Sequence, residues 1–195
     1  MKLPEPRDKS DVSLEEAIRD RRSVRAYKSG PLTLNEVAQL LWSAQGITGR
    51  DGFRAAPSGG ATYPLETYVT VGDVVGLEPG LYHYETDQHS LSLVKQGELR
   101  AELSAASLEQ PCVRDAAIVV VLSAVYDRTT ERYGERGRMY VHMDVGHAAE
   151  NLLLQASALG LGSVPVGAFR TRTIAQLLGM PENEVPLYLL PVGRL

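Results

Sequence analysis

Residues 140–159 read Tyr-Val-His-Met-Asp-Val-Gly-His-Ala-Ala-Glu-Asn-Leu-Leu-Leu-Gln-Ala-Ser-Ala-Leu and predict the longest helix of the chain. An apolar stripe at helical spacing runs along this stretch: Val141, Val145, Ala148, Ala149, Leu152, Leu153, Ala156 and Leu159. The second half is apolar nearly all round, which predicts burial on most sides, and Gly160 ends the helix. A helix of this length spans about 30 Å, enough to cross a domain or form the core of a dimer.

Two capping boxes predict helices near the start of the chain, because each pairs an N-cap hydroxyl with a glutamate three residues later. They are Ser13-Leu-Glu-Glu16, ahead of a helix to about Arg21, and Thr33-Leu-Asn-Glu36, ahead of a helix that ends at Gly46. Residues 1–12 read as an irregular arm.

The rest of the chain mixes strands and helices. Predicted strands cover 67–71, 80–84, 90–94, 116–124, 163–169 (strand or extended loop) and 186–192, and predicted helices cover 97–108 and a short stretch capped by Thr173. Residues 127–139, with seven charged side chains and two glycines, predict an exposed excursion. The hairpin-like middle favours a single α+β domain over 1–195 rather than a doubly wound parallel sheet.

Composition excludes several function classes. A net charge of −4 argues against nucleic acid as the main partner. The single Cys112 allows no internal disulfide and fits a cytoplasmic location, while the polar start of the chain does not resemble a signal peptide. The longest apolar run, 116–125, is about half a membrane helix, so no membrane partner is expected. His142 and His147 diverge by about 140° on a helix, and we expect no metal site.

Four segments could bind a ligand. Arg21-Arg-Ser-Val-Arg25 suits a phosphate, because guanidinium forks hold its oxygens in a bidentate way, although a solvated basic face is equally consistent. Pro57-Ser-Gly-Gly60 would let a flat ligand approach the backbone, or could be an ordinary turn. Ser163-Val-Pro-Val-Gly-Ala-Phe169 and Pro191-Val-Gly-Arg-Leu195 are two further segments with small residues.

An ordered series of motifs along nearly the whole chain resembles the nitroreductase superfamily of FMN enzymes, in detail its SagB/ThcOx-like branch associated with azoline oxidation. The motifs are Arg21-Arg-Ser-Val-Arg-Ala-Tyr27, Pro31-Leu-Thr-Leu34, Leu40-Leu-Trp-Ser-Ala-Gln-Gly-Ile-Thr48, Ala56-Pro-Ser-Gly-Gly-Ala-Thr-Tyr-Pro-Leu-Glu66, Gly80-Leu-Tyr-His-Tyr84, Asp144-Val-Gly-His-Ala-Ala-Glu-Asn-Leu152, Ala158-Leu-Gly-Leu-Gly-Ser-Val-Pro165 and Gly167-Ala-Phe169.

The resemblance implies a mixed or antiparallel sheet flanked by helices, in an intertwined homodimer with FMN at the interface. It assigns the FMN phosphate and pyrimidine edge to Arg21, Ser23 and Arg25, with Arg22 next, and the end of the phosphate site to Gly193 and Arg194. The isoalloxazine ring would meet Pro57, Ser58, Gly59 and Gly60 of the partner chain, and flavin N5 would meet the strip Pro165, Val166, Gly167 and Ala168, with the Gly167 N–H as donor. Ala61 stands where the family usually has Asn.

The resemblance also implies ping-pong chemistry, in which NAD(P)H gives hydride to flavin N5 and a small organic acceptor then takes the electrons. Azole-forming relatives use a Lys-Tyr pair, and the nearest match here is Arg132 and Tyr133, the candidate catalytic pair. Arginine keeps the charge but is a poor base, so the same segment could instead be a charged loop over the cleft. Two alternatives stay open: azoline dehydrogenation in a peptide-modifying complex, or a redox-silent flavin-binding subunit.

Overall fold

A computed structural model describes residues 1–49 and 51–195. The helices are α1 (Leu14–Asp20), α2 (Leu34–Gln45), α3 (Arg100–Ala106), α4 (Pro111–Arg114), α5 (Asp127–Tyr133), α6 (Arg136–Ala158) and α7 (Thr171–Leu178). The strands are β1 (Leu65–Val71), β2 (Gly80–Glu85), β3 (Ser90–Gln96), β4 (Ile118–Val125), β5 (Leu161–Ser163) and β6 (Glu184–Arg194).

The strands form one sheet in the order β3-β2-β1-β4-β6-β5, and every neighbouring pair is antiparallel. The central strand β4 is buried at every position except its last, as expected for a strand covered on both faces. The predicted α+β class with an antiparallel sheet is therefore confirmed.

Helices cover both faces of the sheet. One face packs against α2 and α6 through Leu41 and Leu152, while the other packs against α3, α4 and α7 through Leu103 and Ile174. Both predicted capping boxes form, at the starts of α1 and α2. In the described residues, no helix is both long and apolar enough to span a bilayer.

The predicted exposure of 127–139 is confirmed for its charged side chains, but the segment is not an excursion, since these residues form α5 and the first turn of α6. Helix α6 thus begins at Arg136, four residues before the predicted start. The charged side chains lie on the outer surface, whereas Thr129 is fully buried and hydrogen-bonds Thr62. Gly137 is also buried, and a Cβ there would lie 3.0 Å from the Thr129 carbonyl oxygen. Two small residues therefore let the charged segment pack closely.

Several other boundaries also differ from prediction. Helix α7 begins at Thr171, and no side-chain hydrogen bond caps it, so the proposed Thr173 cap is wrong. The helix predicted at 97–108 is shorter, and α4 follows it. Only Leu161–Ser163 of the next segment is a regular strand, with 164–170 extended beyond it. The arm 1–12 is irregular but docked, since Leu3 is buried and its N–H donates to the His89 carbonyl.

The second half of α6 is buried along one face only within this chain. Leu152, Leu153 and Ala156 are buried, while Leu154 and Leu159 are partly exposed. The predicted burial on most sides is therefore not met within the single chain.

Replacing Leu152 with alanine should lower the free energy of unfolding by about 3 kcal/mol, because this fully buried side chain would leave a cavity between α6 and the sheet. Urea denaturation of this variant and of Leu93→Ala, whose side chain is exposed on β3, measures the effect. We expect almost no change for the control; a loss below about 1 kcal/mol for Leu152→Ala would contradict the packing described here.

Candidate functional site

The arginine segment 21–25 leaves α1 and runs beside β5. Arg21 is the C-cap residue of α1, and its Nε lies 3.3 Å from a carboxylate oxygen of Glu150 on α6. Ser23 forms an isolated parallel bridge with Ser163, and the Val24 N–H donates to the Ser163 carbonyl at 2.9 Å. The chain thereby places two arginines at the junction of α1, α6 and β5.

At this junction lies a cleft of about 220 Å³, here named the arginine cleft. Its lining residues are Asp20, Arg21, Arg22, Val24, Leu153, Ser157, Leu161, Ser163 and Leu195. Ser163 is buried, and its Oγ has no hydrogen-bond partner among the described residues. Arg22 donates to the carbonyls of Arg19 and Arg21, while Arg25 is exposed and lies outside the lining. A lining that combines two arginines with a buried hydroxyl that has no partner suits an anionic or polar ligand.

The strip Pro165–Ala168 continues from β5 along the same edge. Val166 exchanges two backbone hydrogen bonds with Leu189 of β6, and its side chain is buried. Gly167 and Ala168 are exposed, and no acceptor in the described part of the chain takes the Gly167 N–H. The strip, held in place at Val166, thus presents the Gly167 N–H as a backbone donor that is available to a ligand.

The C-terminal pair Gly193 and Arg194 has other partners here. Gly193 pairs with Gly162, and a Cβ on Gly193 would lie 2.5 Å from the Tyr27 ring, so the close packing requires glycine. The Arg194 guanidinium binds both carboxylate oxygens of Glu36 at 2.7 and 2.8 Å. In this arrangement Arg194 fastens β6 to the start of α2 and does not line the arginine cleft.

The glycine loop, residues 57–64, lies against α6. Ser58 Oγ donates to Asp144 at 2.7 Å, and the Gly59 N–H donates to the same carboxylate at 3.2 Å. Pro57 and Gly60 are exposed. Burial raises the pKa of Asp144, and the bonds from Ser58 and Gly59 oppose that rise. Sequence reasoning gave Asp144 no role; the available signal was a carboxylate among the buried positions of α6, three residues after Val141.

The predicted catalytic pair lies beside the glycine loop. Arg132 donates to the Gly60 carbonyl at 3.0 Å, and its guanidinium lies 5.4 Å from the Tyr133 ring centroid. Tyr133 and Tyr140 pack edge to face, with ring centroids 5.1 Å apart. The structure therefore brings Arg132, Tyr133 and the loop into one cluster.

This cluster and the arginine cleft lie on different sides of α6. Asp144 anchors the loop, whereas Ser157 lines the cleft 13 residues further along the helix. That spacing corresponds to about 20 Å along the axis and about 140° around it. The two groups of predicted residues do not converge within one chain.

A separate polar cluster lies on the face of the sheet that packs against α3, α4 and α7. His83 has one ring nitrogen 2.9 Å from Glu66 and the other 3.0 Å from Glu85, and Arg128 also pairs with Glu66. The hydrogen bond to Glu66 is the main cause that raises the pKa of His83 to about 9, although burial opposes it. Among the described residues, no three His, Cys, Asp or Glu side chains are grouped as metal ligands.

The free energy of unfolding should decrease as the pH rises from about 6.5 to about 9. The folded state holds the His83 proton more tightly than the unfolded state, so the stabilisation is complete below pH 6.5 and is lost as pH rises through 9. We expect a loss of about 2 kcal/mol across this window. Urea titrations at several pH values measure it, with His83→Gln as the control that should flatten the curve. Equal slopes for both proteins would refute the assignment.

The protein-family model described as "Nitroreductase family" matches residues 18–194. A Methanocaldococcus jannaschii protein described as "Putative nitroreductase" is 49% identical over 187 residues, covering 96% of this chain and 93% of that protein. A crystal structure from Ralstonia eutropha, described in the same words, superposes with a TM-score of 0.85 at 28% identity, covering 99% and 88%. The trifolitoxin-processing protein TfxB of Rhizobium leguminosarum is 35% identical over 119 residues, 58% of this chain and 32% of TfxB.

Proposed function

Since the chain belongs to the nitroreductase family of flavin-linked oxidoreductases, we propose that it binds FMN in the arginine cleft and passes electrons from NAD(P)H to a small organic acceptor. The observation that carries the proposal is the cleft lined by Arg21, Arg22 and Ser163, whose buried Oγ has no hydrogen-bond partner among the described residues. The strip that ends at Gly167 follows Ser163 directly along the chain.

The donor set fits the anionic end of FMN. Arg21 and Arg22 can neutralise a phosphate that carries nearly two negative charges, and Ser163 offers a further polar contact. The ion pair between Arg21 and Glu150 would compete only weakly with a bound phosphate. The Glu150 side chain is 51% exposed, and exposed ion pairs contribute at most about 1 kcal/mol. A phosphate can therefore replace Glu150 at this guanidinium.

The Gly167 N–H would face the ring. FMN, once bound, would supply two-electron redox chemistry between a nicotinamide nucleotide and the acceptor. Gly167 can donate from the backbone whatever side chains surround it, and Val166 holds it in place through the two bonds to Leu189. The protein's part is thus to bind and orient, and no acid–base side chain is required.

A second copy of the chain would complete the site. An apolar groove of about 300 Å³ between α1, α2 and α6 includes Leu14, Trp42 and Leu154, and Leu14 is 62% exposed. Ile18 and Met143 also expose apolar surface on these helices. A homodimer that buries this surface could bring the glycine loop of one protomer to the arginine cleft of the other, which one chain alone does not do. The dimer would also cover the exposed side of α6.

Azoline dehydrogenation is the second candidate, supported by the likeness to TfxB. For this function Arg132 and Tyr133 would assist proton removal, but Arg132 already donates to the Gly60 carbonyl, and arginine is a poor base. A thiazoline peptide that loses two hydrogens during incubation with the flavin-loaded protein in air would support this candidate. An unchanged mass would remove it.

The cofactor assignment has a direct test. The purified protein, reconstituted with FMN and separated from free flavin, should release about one FMN per chain on denaturation. A protein that retains no flavin at micromolar concentration would contradict the assignment, whatever its activity with other substrates.

A further inference from the structure

We propose that Asp144 is the positioning residue of the glycine loop and fixes its conformation against the flavin ring, an inference that rests on the proposed function. It acts through Ser58 and Gly59, and nothing requires it to touch the flavin. The carboxylate is only 4% exposed, so it is not a solvated side chain that happens to lie nearby.

One buried carboxylate holds the start of the turn directly and its end through Ser58. Asp144 accepts from the Ser58 hydroxyl at 2.7 Å and from the Gly59 N–H at 3.2 Å. Ser58 Oγ in turn accepts the Tyr63 N–H at 3.0 Å. The contacts therefore form a chain from α6 through Ser58 to Tyr63 that spans the whole turn.

The turn needs such a tether because its backbone is strained. Ala61 has φ 53° and Tyr63 has φ 44°, left-handed values that side chains with a Cβ adopt at a cost. Gly60 has φ 62°, and a Cβ there would lie 2.2 Å from the Tyr133 hydroxyl. Strain of this kind persists only where surrounding contacts determine the conformation. Asp144 supplies two of these contacts from a rigid helix.

Removing the carboxylate would leave the Ser58 hydroxyl and the Gly59 N–H without their acceptor, and both groups would turn towards water. The loop would then relax out of its left-handed conformation. The surface that faces the ring would change, while the arginine cleft, on another side of α6, would keep its residues.

The test compares Asp144→Ala, Asp144→Asn and Ser58→Ala with the matched control Thr129→Val. The control also removes a buried hydrogen bond to this loop, at Thr62, but Thr62 keeps its bond to the Gly59 carbonyl. Hydrogen–deuterium exchange of the flavin-free proteins reports on the loop directly. We expect at least tenfold faster exchange over 57–63 in Asp144→Ala and Ser58→Ala, an intermediate rate in Asp144→Asn, and a nearly unchanged rate in Thr129→Val.

Flavin binding gives the second readout. Titration with FMN should show at least tenfold weaker affinity and a shifted flavin absorption spectrum for Asp144→Ala, with Asp144→Asn partly restoring both. Equal exchange rates in Asp144→Ala and the wild type, or equal effects of Thr129→Val, would overturn the positioning role. Faster exchange in Asp144→Ala together with a wild-type protein that binds no FMN would support the tether and refute the proposed function, so the two failures are distinguishable.

Discussion

Replacing Arg21 with alanine should yield a protein that purifies colourless. Arg21 is the C-cap residue of α1, and its side chain reaches Glu150 of α6 at the arginine cleft, so its replacement removes a charge and a bidentate donor from the proposed phosphate site. A hydrogen bond to a charged group contributes about 1.5–3 kcal/mol, which corresponds to roughly 10- to 100-fold weaker binding. Flavin absorbance per mole of purified protein measures the effect.

Arg19→Ala is the matched control for this experiment. Arg19 lies two residues earlier in the chain, is exposed, pairs with Asp20 and is not itself among the residues that line the cleft. We expect the control to retain the wild-type amount of flavin. If Arg21→Ala purifies fully yellow while folding normally, the phosphate lies elsewhere and the assignment of the cleft is wrong.

Replacing Leu154 with aspartate should convert a dimer into a monomer and release the flavin. Leu154 lies on the partly exposed side of α6 in the apolar groove, where the second copy would cover it. An unpaired carboxylate buried in such an interface is strongly unfavourable. Because the glycine loop and the arginine cleft do not converge within one chain, loss of the dimer should also remove one side of the flavin site.

Light scattering at micromolar concentration measures the mass, and absorbance measures the flavin. Leu93→Asp is the control, because Leu93 is exposed on β3, the strand at the opposite edge of the sheet from β5. A wild-type monomer would rule out the proposed dimer. A Leu154→Asp dimer with a full complement of flavin would show that the groove has another role.

Local signals in the sequence were sufficient for much of the fold. The capping boxes at Ser13 and Thr33 and the buried run of β4 act over a few residues, and the structure contains all three. The start of α7 depends instead on distant partners, since Arg170 donates from its backbone and its guanidinium to the carbonyls of Ala106 and Ala105. No pattern around Thr173 reports those contacts.

The candidate site likewise has features that the sequence predicts and contacts that it does not. Glycine pairs and arginine clusters are visible in the sequence, so the glycine loop and the segment 21–25 could be predicted. The partners that decide their roles are remote: Ser58 meets Asp144 across 86 positions, and Glu36 meets Arg194 across 158. Periodicity and spacing carry no information about such pairs, because only the folded sheet and α6 bring them together.

Anaerobic addition of NADH or NADPH to the FMN-loaded protein tests the central claim most directly. The visible flavin absorbance should disappear with at least one nucleotide and return when an oxidising acceptor is added. A protein that stays yellow with both NADH and NADPH would contradict NAD(P)H-linked electron transfer and support a flavin-binding subunit without redox activity.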